Sequence, residues 1–345
     1  MNSGLNLIRF LLAFNVIAFH IWNSLAMGAG PVAVLAFFFV SGLLITQISQ
    51  EVYADASRSG AFLLNRFLRI YPQYIAAVLL SLLCVYRYPE VSEHVNGYLR
   101  WPVDAAEWAP QFLVMGLYGA DVRLLPAAWS LSTEIYYYLL IGLVTGRSRT
   151  LALGLLAVSL PVGLLCALGV LPFDFYGHPL GNGFAFAFGS VTYFYRDRVA
   201  IRPPVFIIAC AAYFLHTYGI PLLFASDLND ANIAASLVPF AVMIVYLLQH
   251  DVRDPRGARL LGALGKLAYP MFLTHWSAGV LVSSLFFGGK DAADAATVWG
   301  GAGYFVATLA VVLLLSLLFY QFIDKPVERL RQWVRTRART VAVAA

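Results

Sequence analysis

The chain has 345 residues, of which 61% are hydrophobic and 12% are charged, and its formal net charge is +5. About a quarter of the residues of a soluble protein are charged, so this composition excludes an ordinary soluble enzyme and indicates an integral membrane protein. The alternating ten-residue segments of a membrane β-barrel are absent, which leaves helices as the predicted membrane-spanning elements.

Ten apolar runs approach the length of about 20 residues that a helix needs to cross a bilayer core. The predicted spans are 5–25, 30–49, 70–87, 127–145, 150–170, 181–195, 203–222, 233–249, 267–287 and 298–322. We therefore predict an all-α, polytopic membrane protein of about ten transmembrane helices, with one domain over residues 1–345. The three cysteines lie within apolar runs at no metal-ligand spacing, so we expect neither a disulfide framework nor a metal site.

Basic residues are divided unequally between the two sets of loops that ten spans create. One set, together with the C-terminal tail, holds eighteen: Arg58, Arg66, Arg69, Arg147, Arg149, Arg196, Arg198, Arg202, Arg253, Arg256, Arg259, Lys266, Lys325, Arg329, Arg331, Arg335, Arg337 and Arg339. The other set holds four: Arg87, Arg100, Arg123 and Lys290. Because basic loops stay on the cytoplasmic side, this bias predicts that both termini are cytoplasmic. It also explains the net charge without a nucleic-acid partner, and we expect the basic tail to lie on anionic lipid headgroups.

The first predicted span carries two ionisable residues, Arg9 and His20. Their spacing of eleven residues gives about 20° of angular offset and about 16 Å along the axis, so both lie on one stripe of the helix. An ionisable group in hydrocarbon costs roughly 3 kcal/mol, which favours a stripe that faces other helices. The alternative is that His20 forms a structural hydrogen bond and Arg9 extends to the headgroups.

Two arginines, Arg66 and Arg69, precede the third predicted span at its cytoplasmic end. At positions i and i+3 they share a helix face, and two guanidinium groups on one face are suited to binding phosphate oxygens. Ordinary anchoring at the cytoplasmic surface is the alternative explanation.

A polar segment, 129–134 (WSLSTE), begins the fourth predicted span. At 1.5 Å per residue, Glu134 lies about 10 Å below the outer edge of the membrane and His20 about 8 Å below it. A carboxylate at the depth of an imidazole can hold that histidine in one tautomer and make it a better base. Glu134 could instead form only a structural hydrogen bond.

Two further segments carry polar groups near or within spans. In the segment 269–276 (YPMFLTHW), His275 is expected near the bilayer midplane, where a satisfied core histidine is the alternative. In Asp324-Lys325-Pro326, the proline is expected to end the last span, and Asp324 is expected to pair with basic neighbours.

Taken together, these residues resemble the motifs of the membrane acyltransferase-3 family. The matching motifs are Arg9-x10-His20, the segment 37–42 (FFFVSG), Arg66-x-x-Arg69, Trp129-Ser130-Leu131-x-x-Glu134, the segment 269–276 and Asp324-Lys325-Pro326. The resemblance covers nearly the whole chain in order. Members of that family modify bacterial exopolysaccharides, lipopolysaccharide O-antigens, nodulation factors and some macrolides.

The resemblance implies a stand-alone, ten-helix O-acyltransferase of the bacterial cytoplasmic (inner) membrane. Such an enzyme takes an acyl group, usually acetyl, from cytoplasmic acyl-CoA and transfers it to a hydroxyl group. The expected acceptor is a cell-surface or exported carbohydrate, and the alternative acceptor is a macrolide or another secondary metabolite.

The residues and the resemblance agree on the roles of the site residues. Arg9, Arg66 and Arg69 are expected to hold the phosphates of acetyl-CoA. His20, supported by Glu134, is expected to remove the proton of the acceptor hydroxyl group. The predicted acceptor-binding residues are Trp129, Ser130, Tyr269, His275 and Trp276.

Three alternatives concern the chemistry, the function and the aromatic residues. No serine or cysteine has a recognisable nucleophile setting, so direct transfer is favoured over an acyl-enzyme, and an acyl-histidine intermediate stays open. A secondary transporter or flippase would also line a polar cavity with arginine, histidine and glutamate. The aromatic candidates, Trp129, Tyr269 and Trp276, are equally explained as residues of an interfacial belt.

The division of basic residues leads to a prediction about orientation. A reporter that is active only in the cytoplasm should work when it is fused after Ala345, because the basic loops and tail are expected on that side. A reporter that is active only outside the cytoplasm should work when it is inserted at Asp291. The opposite activity at either site would contradict the ten-span arrangement.

Overall fold

The computed structural model describes residues 2–22, 28–224, 228–295 and 297–340. The protein is 80% helical, and the described residues contain no strand, so the predicted all-α class is confirmed. The α-helices, in chain order, are α1 (Ser3–Ile21), α2 (Ala29–Glu51), α3 (Ser59–Arg87), α4 (Pro89–Val95), α5 (Ala105–Leu113), α6 (Trp129–Leu143), α7 (Arg149–Ala167), α8 (Pro179–Tyr195), α9 (Pro203–Phe214), α10 (Ile220–Phe224), α11 (Asp230–Ala235), α12 (Leu237–Gln249), α13 (Pro255–Phe286), α14 (Val298–Phe319) and α15 (Lys325–Thr340). The end of the first predicted span, residues 23–25, lies outside the described residues.

Seven stretches of the described chain are long and apolar enough to cross a membrane. They are Ser3–Ile21, Ala29–Glu51, Ala56–Arg87, Arg149–Ala167, Pro203–Leu223, Asp230–Gln249 and Val298–Arg337. The other three predicted spans correspond to α6, α8 and α13, of which α6 and α8 have only 15 and 17 residues. The chain is therefore a multi-pass helical membrane protein, while the count of ten spans and the orientation of the termini stay predictions.

Two helix boundaries differ from those expected from the sequence. Helix α3 begins at Ser59, well before the predicted third span of 70–87, and it contains Arg66 and Arg69 on one face as expected. The expectation that Pro326 ends the last helix was wrong. The chain passes from α14 through a π-helical turn, Tyr320–Asp324, into α15, where Pro326 is the second residue. The backbone N–H of Lys325 donates to the carbonyl of Tyr320, so the helical hydrogen bonding continues up to the proline.

The residues of the chain divide into two compact units. Unit 1 comprises 1–16, 26–62 and 133–265, and unit 2 comprises 17–25, 63–132 and 266–345. In unit 1, α2 and α8 approach closely because both carry a glycine where they meet. A Cβ atom at Gly42 would meet the carbonyl oxygen of Phe186, and one at Gly189 would meet the carbonyl oxygen of Phe39. Close approach through small residues is a common way to pack helices in a membrane, where the hydrophobic effect does not drive helices together.

In unit 2, hydrogen bonds from tyrosines to backbone carbonyl oxygens join α13 to its neighbours. The hydroxyl group of Tyr269 donates to the carbonyl of Ile70 on α3 at 3.1 Å. The hydroxyl group of Tyr304 on α14 donates to the carbonyl of Gly279 on α13, also at 3.1 Å. These bonds fix α3, α13 and α14 against one another at two depths.

The long connection between α3 and α6 is ordered around one amide, that of Gln111 on α5. Gln111 is fully buried, its side-chain amide donates to the carbonyl of Val122 at 2.8 Å, and its oxygen accepts from the N–H of Leu124 at 2.9 Å. The hydroxyl group of Tyr74 on α3 donates to the backbone carbonyl of Gln111 at 2.7 Å. The connection is therefore held against α3 by hydrogen bonds that a buried backbone requires.

The close helix contact in unit 1 predicts a stability difference between two alanine variants. Gly189→Ala should lower the thermal unfolding temperature, because its methyl group meets the α2 backbone and overpacking costs about 1–3 kcal/mol. Gly154→Ala on α7 is the matched control, since a Cβ atom there meets nothing within 4 Å and alanine is the better helix former. Fluorescence-detected unfolding of both variants in detergent tests this, and equal unfolding temperatures would contradict the proposed close contact.

Candidate functional site

The predicted base, His20, lies in the last turn of α1 and contacts a second histidine. Its Nδ1 atom is 3.0 Å from the Nε2 atom of His275 on α13, and the two ring planes are nearly parallel, at 9°, with centroids 5.1 Å apart. His275 is fully buried, whereas His20 is partly exposed. The sequence places both histidines deep in spans, but it gives no indication that they touch.

The hydrogen-bond partners of His275 assign the protons of the histidine pair. Its Nδ1 atom is 2.8 Å from the backbone carbonyl oxygen of Phe272, which can only accept, so Nδ1 must carry the proton. A neutral imidazole has one N–H, which leaves Nε2 of His275 as an acceptor. His20 must then donate from Nδ1, and its own Nε2 atom keeps a lone pair. The pair therefore holds His20 in the tautomer in which Nε2 is basic.

Trp276 packs against the same histidine pair. Its ring centroid lies 5.0 Å from that of His20 and 5.4 Å from that of His275. The indole Nε1 atom is buried and has no hydrogen-bond partner among the described residues. Trp276 thus shields one side of the His20 ring and leaves an N–H donor beside it.

Glu134, the predicted support of His20, is held in unit 1 by two hydroxyl groups. Ser41 on α2 and Tyr138, one turn further along α6, both donate to the same carboxylate oxygen, Oε1. Two hydroxyl donors on one oxygen fix the orientation of the carboxylate. The pairing of Glu134 with His20 stays a prediction.

Ser41 and Tyr138 were not singled out from the sequence as partners of Glu134, although signals for both exist. Ser41 belongs to the segment 37–42 that carries the family resemblance, and Tyr138 stands four residues after Glu134, at the spacing of neighbours on a helix face.

The predicted phosphate-binding pair, Arg66 and Arg69, lies on one face of α3 in unit 2. The guanidinium group of Arg69 forms an ion pair with Asp324 at 3.4 Å, which confirms that Asp324 pairs with a basic neighbour. Gln73, one turn beyond Arg69, donates to the same carboxylate at 2.7 Å. The guanidinium group of Arg69 also lies over the Tyr269 ring, 5.5 Å from its centroid.

The remaining predicted site residues lie as follows. Arg9 is partly buried on α1, within unit 1, and its place with the other arginines stays a prediction. The hydroxyl group of Ser130 donates to the carbonyl of Ala127 at 3.0 Å, and the ring of Trp129 makes an edge contact with Tyr118. Their roles in acceptor binding stay predictions.

One further group of polar residues lies outside the predicted sites. The side chains of His94, Asp291 and Asp294 offer ligand atoms within 4.8 Å of one another, and Nε2 of His94 is 2.6 Å from Asp294. Exposed acidic groups of this kind are common without an ion. The hydrogen bond that His94 donates to Asp294 raises the pKa of His94, so this pair joins α4 to the α13–α14 connection most strongly when His94 is protonated.

The structure is that of a multi-pass helical membrane protein in which two histidines, His20 and His275, form a hydrogen bond between helices. A family model described as an acyltransferase domain matches residues 2–321. The chain therefore belongs to the acyltransferase-3 family, and it is a membrane acyltransferase. No curated protein sequence and no solved structure matches it.

Proposed function

We propose that the protein is an O-acetyltransferase that moves an acetyl group from cytoplasmic acetyl-CoA to a hydroxyl group of a cell-surface or exported glycan. Its proposed location is the bacterial cytoplasmic membrane. The observation that carries the proposal is the histidine pair, because a histidine with one basic nitrogen in a fixed tautomer is what acyl transfer to a hydroxyl group requires.

The proposed reaction begins with proton removal by His20. Nε2 of His20 accepts the proton of the acceptor hydroxyl group while its oxygen attacks the thioester carbonyl carbon. The tetrahedral intermediate then collapses, the carbon–sulfur bond breaks, and the departing CoA sulfur takes the proton back from Nε2. The products are the acetyl ester and CoA, and His20 returns to its starting form.

His275 is proposed to assist as a positioning residue. When His20 is protonated at both nitrogens, its Nδ1–H still donates to Nε2 of His275 at the observed separation of 3.0 Å. The neutral ring and the cationic ring of His20 therefore keep the same partner, so no reorganisation is needed during proton transfer. Preorganisation of this kind lowers the cost of the charge that develops in the transition state.

Glu134 and Trp276 are proposed to stabilise opposite charges. A carboxylate such as Glu134, which accepts from Ser41 and Tyr138, would favour the imidazolium form of His20. The indole N–H of Trp276, which has no partner among the described residues, is the proposed donor to the oxyanion of the intermediate.

The donor is proposed to bind with its phosphates at Arg66 and Arg69 and its thioester at the histidine pair. Helix α13 supports this arrangement, because Tyr269 contacts Arg69 and His275 contacts His20. These two residues of α13 are six positions apart, which is about 9 Å along the helix. In CoA, the pantetheine arm likewise lies between the phosphates and the thioester, so the proposed phosphate and thioester sites follow the order of these groups in the donor. Arg9 is proposed to contribute a third guanidinium group.

The proposed base predicts the behaviour of a His20→Ala variant. Purified protein in nanodiscs should lose transfer from radiolabelled acetyl-CoA by about 10²–10⁴-fold, the usual contribution of a general base. Binding of CoA should persist, since the imidazole acts on the acceptor proton. The matched control is His250→Ala, because His250 is exposed and contacts the carbonyl of Tyr246 in its own helix.

Near-parental transfer by His20→Ala would refute this assignment. The flippase alternative is correct if the parent protein neither transfers nor hydrolyses acetyl-CoA but moves a lipid-linked glycan from one leaflet of a vesicle membrane to the other.

The tautomer assignment predicts different effects of two His275 variants. His275→Ala should lower kcat with little change in KM for acetyl-CoA, because His20 loses the acceptor that fixes its Nδ1–H. His275→Gln should retain part of the activity, because an amide oxygen can accept the same hydrogen bond. Steady-state kinetics on folded protein, checked by thermal unfolding, test this. Equal kcat values for the two variants would exclude a role in fixing the tautomer.

A further inference from the structure

Helix α15 lies outside the residues that the acyltransferase domain matches, yet it contributes to the surroundings of Arg66 and Arg69. The matched residues end at 321, and α15 runs from Lys325 to Thr340. The carbonyl of Arg331 accepts a hydrogen bond from the side-chain amide of Asn65 at 3.3 Å, and Asn65 itself is fully buried. The oxygen of that amide accepts from Arg66 at 2.8 Å. One buried asparagine on α3 thus binds both Arg66 and the backbone of α15.

One face of α15 carries a series of charged groups. Glu328, Arg331 and Arg335 of α15 follow Asp324, the last residue of the π turn, at spacings of four, three and four residues, which places all four along one stripe of the helical segment. Glu328 forms ion pairs with Arg331 and with Arg335, the latter at 3.5 Å. Arg331 is only 5% exposed, although a tail that lies on lipid headgroups would keep such a residue at the surface.

Four guanidinium groups lie together in this region. The charged groups that act on Arg331 are Arg66, Arg69 and Arg335, which repel it, and Glu328, which attracts it. Asp324 forms an ion pair with Arg69, and Glu328 forms ion pairs with Arg331 and Arg335. Burying like charges together is costly unless an anion neutralises them.

Two of these guanidinium groups also have unused donors. The Nε atoms of Arg331 and Arg335 are buried and have no hydrogen-bond partner among the described residues. Guanidinium groups bind phosphate oxygens through pairs of parallel hydrogen bonds, so the unused N–H donors of Arg331 and Arg335 favour a phosphate group as the ligand.

We propose that Arg331 and Arg335 of α15, together with Arg66 and Arg69 of α3, form one binding group for the phosphates of the acyl donor. This inference rests on the proposed use of acyl-CoA, and it adds two residues that lie outside the matched domain. A phosphate-bearing lipid headgroup shares the same chemistry, so the test has to separate the two sources.

The test measures CoA binding by isothermal titration calorimetry to the full-length protein in nanodiscs of phosphatidylcholine, which has no net negative charge. Arg331→Ala and Arg335→Ala should each weaken CoA binding by about 10-fold to 100-fold, the effect of losing hydrogen bonds to a charged group. The matched control is Arg329→Ala, which removes the same charge from an exposed position on the same helix and should bind as the parent does.

Folding is monitored because Arg331→Ala leaves Glu328 without one of its partners. Arg331→Lys keeps the positive charge and Arg335→Ala removes a less buried side chain, so both variants should fold, and both should still bind CoA more weakly than the parent. A loss confined to variants with lowered unfolding temperatures would overturn the proposal.

Three other outcomes would also overturn the proposal, and each has a different consequence. If the parent binds CoA and all the variants bind it equally well, only the role of α15 fails. If the parent binds no CoA, the proposed donor itself fails. If phosphatidylglycerol in the nanodisc displaces CoA from the parent but not from Arg331→Ala, the group binds lipid headgroups and is not specific for the donor.

Discussion

Polar side chains that are buried between membrane helices are stabilised by hydrogen-bond partners within the protein, because lipid offers none. In unit 1, Thr46 meets this requirement by donating to Ser190 at 2.7 Å, across the close contact of α2 and α8. In unit 2, Asn65 meets it by binding α15, and His20 meets it by binding His275. Each of these bonds fixes two helices, so the same bonds that satisfy polar groups also determine which residues meet.

The histidine pair illustrates how this requirement produces a chemically useful group. A backbone carbonyl, that of Phe272, determines the proton position on His275, and His275 determines it on His20. The carbonyl is accessible to Nδ1 of His275 because side chains in a helix lean toward the preceding turn. A local feature of helix geometry thereby sets the proton position on a residue that is 255 positions away in the sequence.

The sequence was sufficient to predict the fold class and the individual polar residues, but not their partners. Composition and apolar runs predict an all-α membrane protein, and the cost of polar groups in hydrocarbon makes His20, Glu134 and His275 conspicuous. The contact of His20 with His275 depends on how α1 packs against α13, which no local pattern encodes. Counting residues from assumed span ends placed His275 at the midplane and treated it as a separate group.

The basic tail shows a second limit of inference from pattern. A run of arginines beyond the last span is equally compatible with lipid headgroups and with a buried contact, because charge alone does not indicate which face of a helix is covered. The burial of Arg331 depends on Asn65, a residue 266 positions earlier that donates to a backbone carbonyl. Because the acceptor is a backbone carbonyl, which every residue has, this contact requires no particular side chain in α15 and cannot be predicted from its sequence.

The π-helical turn Tyr320–Asp324 controls which side of α15 meets α3. A π turn accommodates one more residue than an α turn, and one residue corresponds to about 100° of rotation. A helical wheel drawn without interruption from Val298 to Thr340 would therefore assign Arg331 to the wrong face. A single-residue deletion in this turn would therefore turn the arginines of α15 away from α3 without altering any of them. The length of this five-residue turn is thus as much a part of the charged region as the side chains it presents.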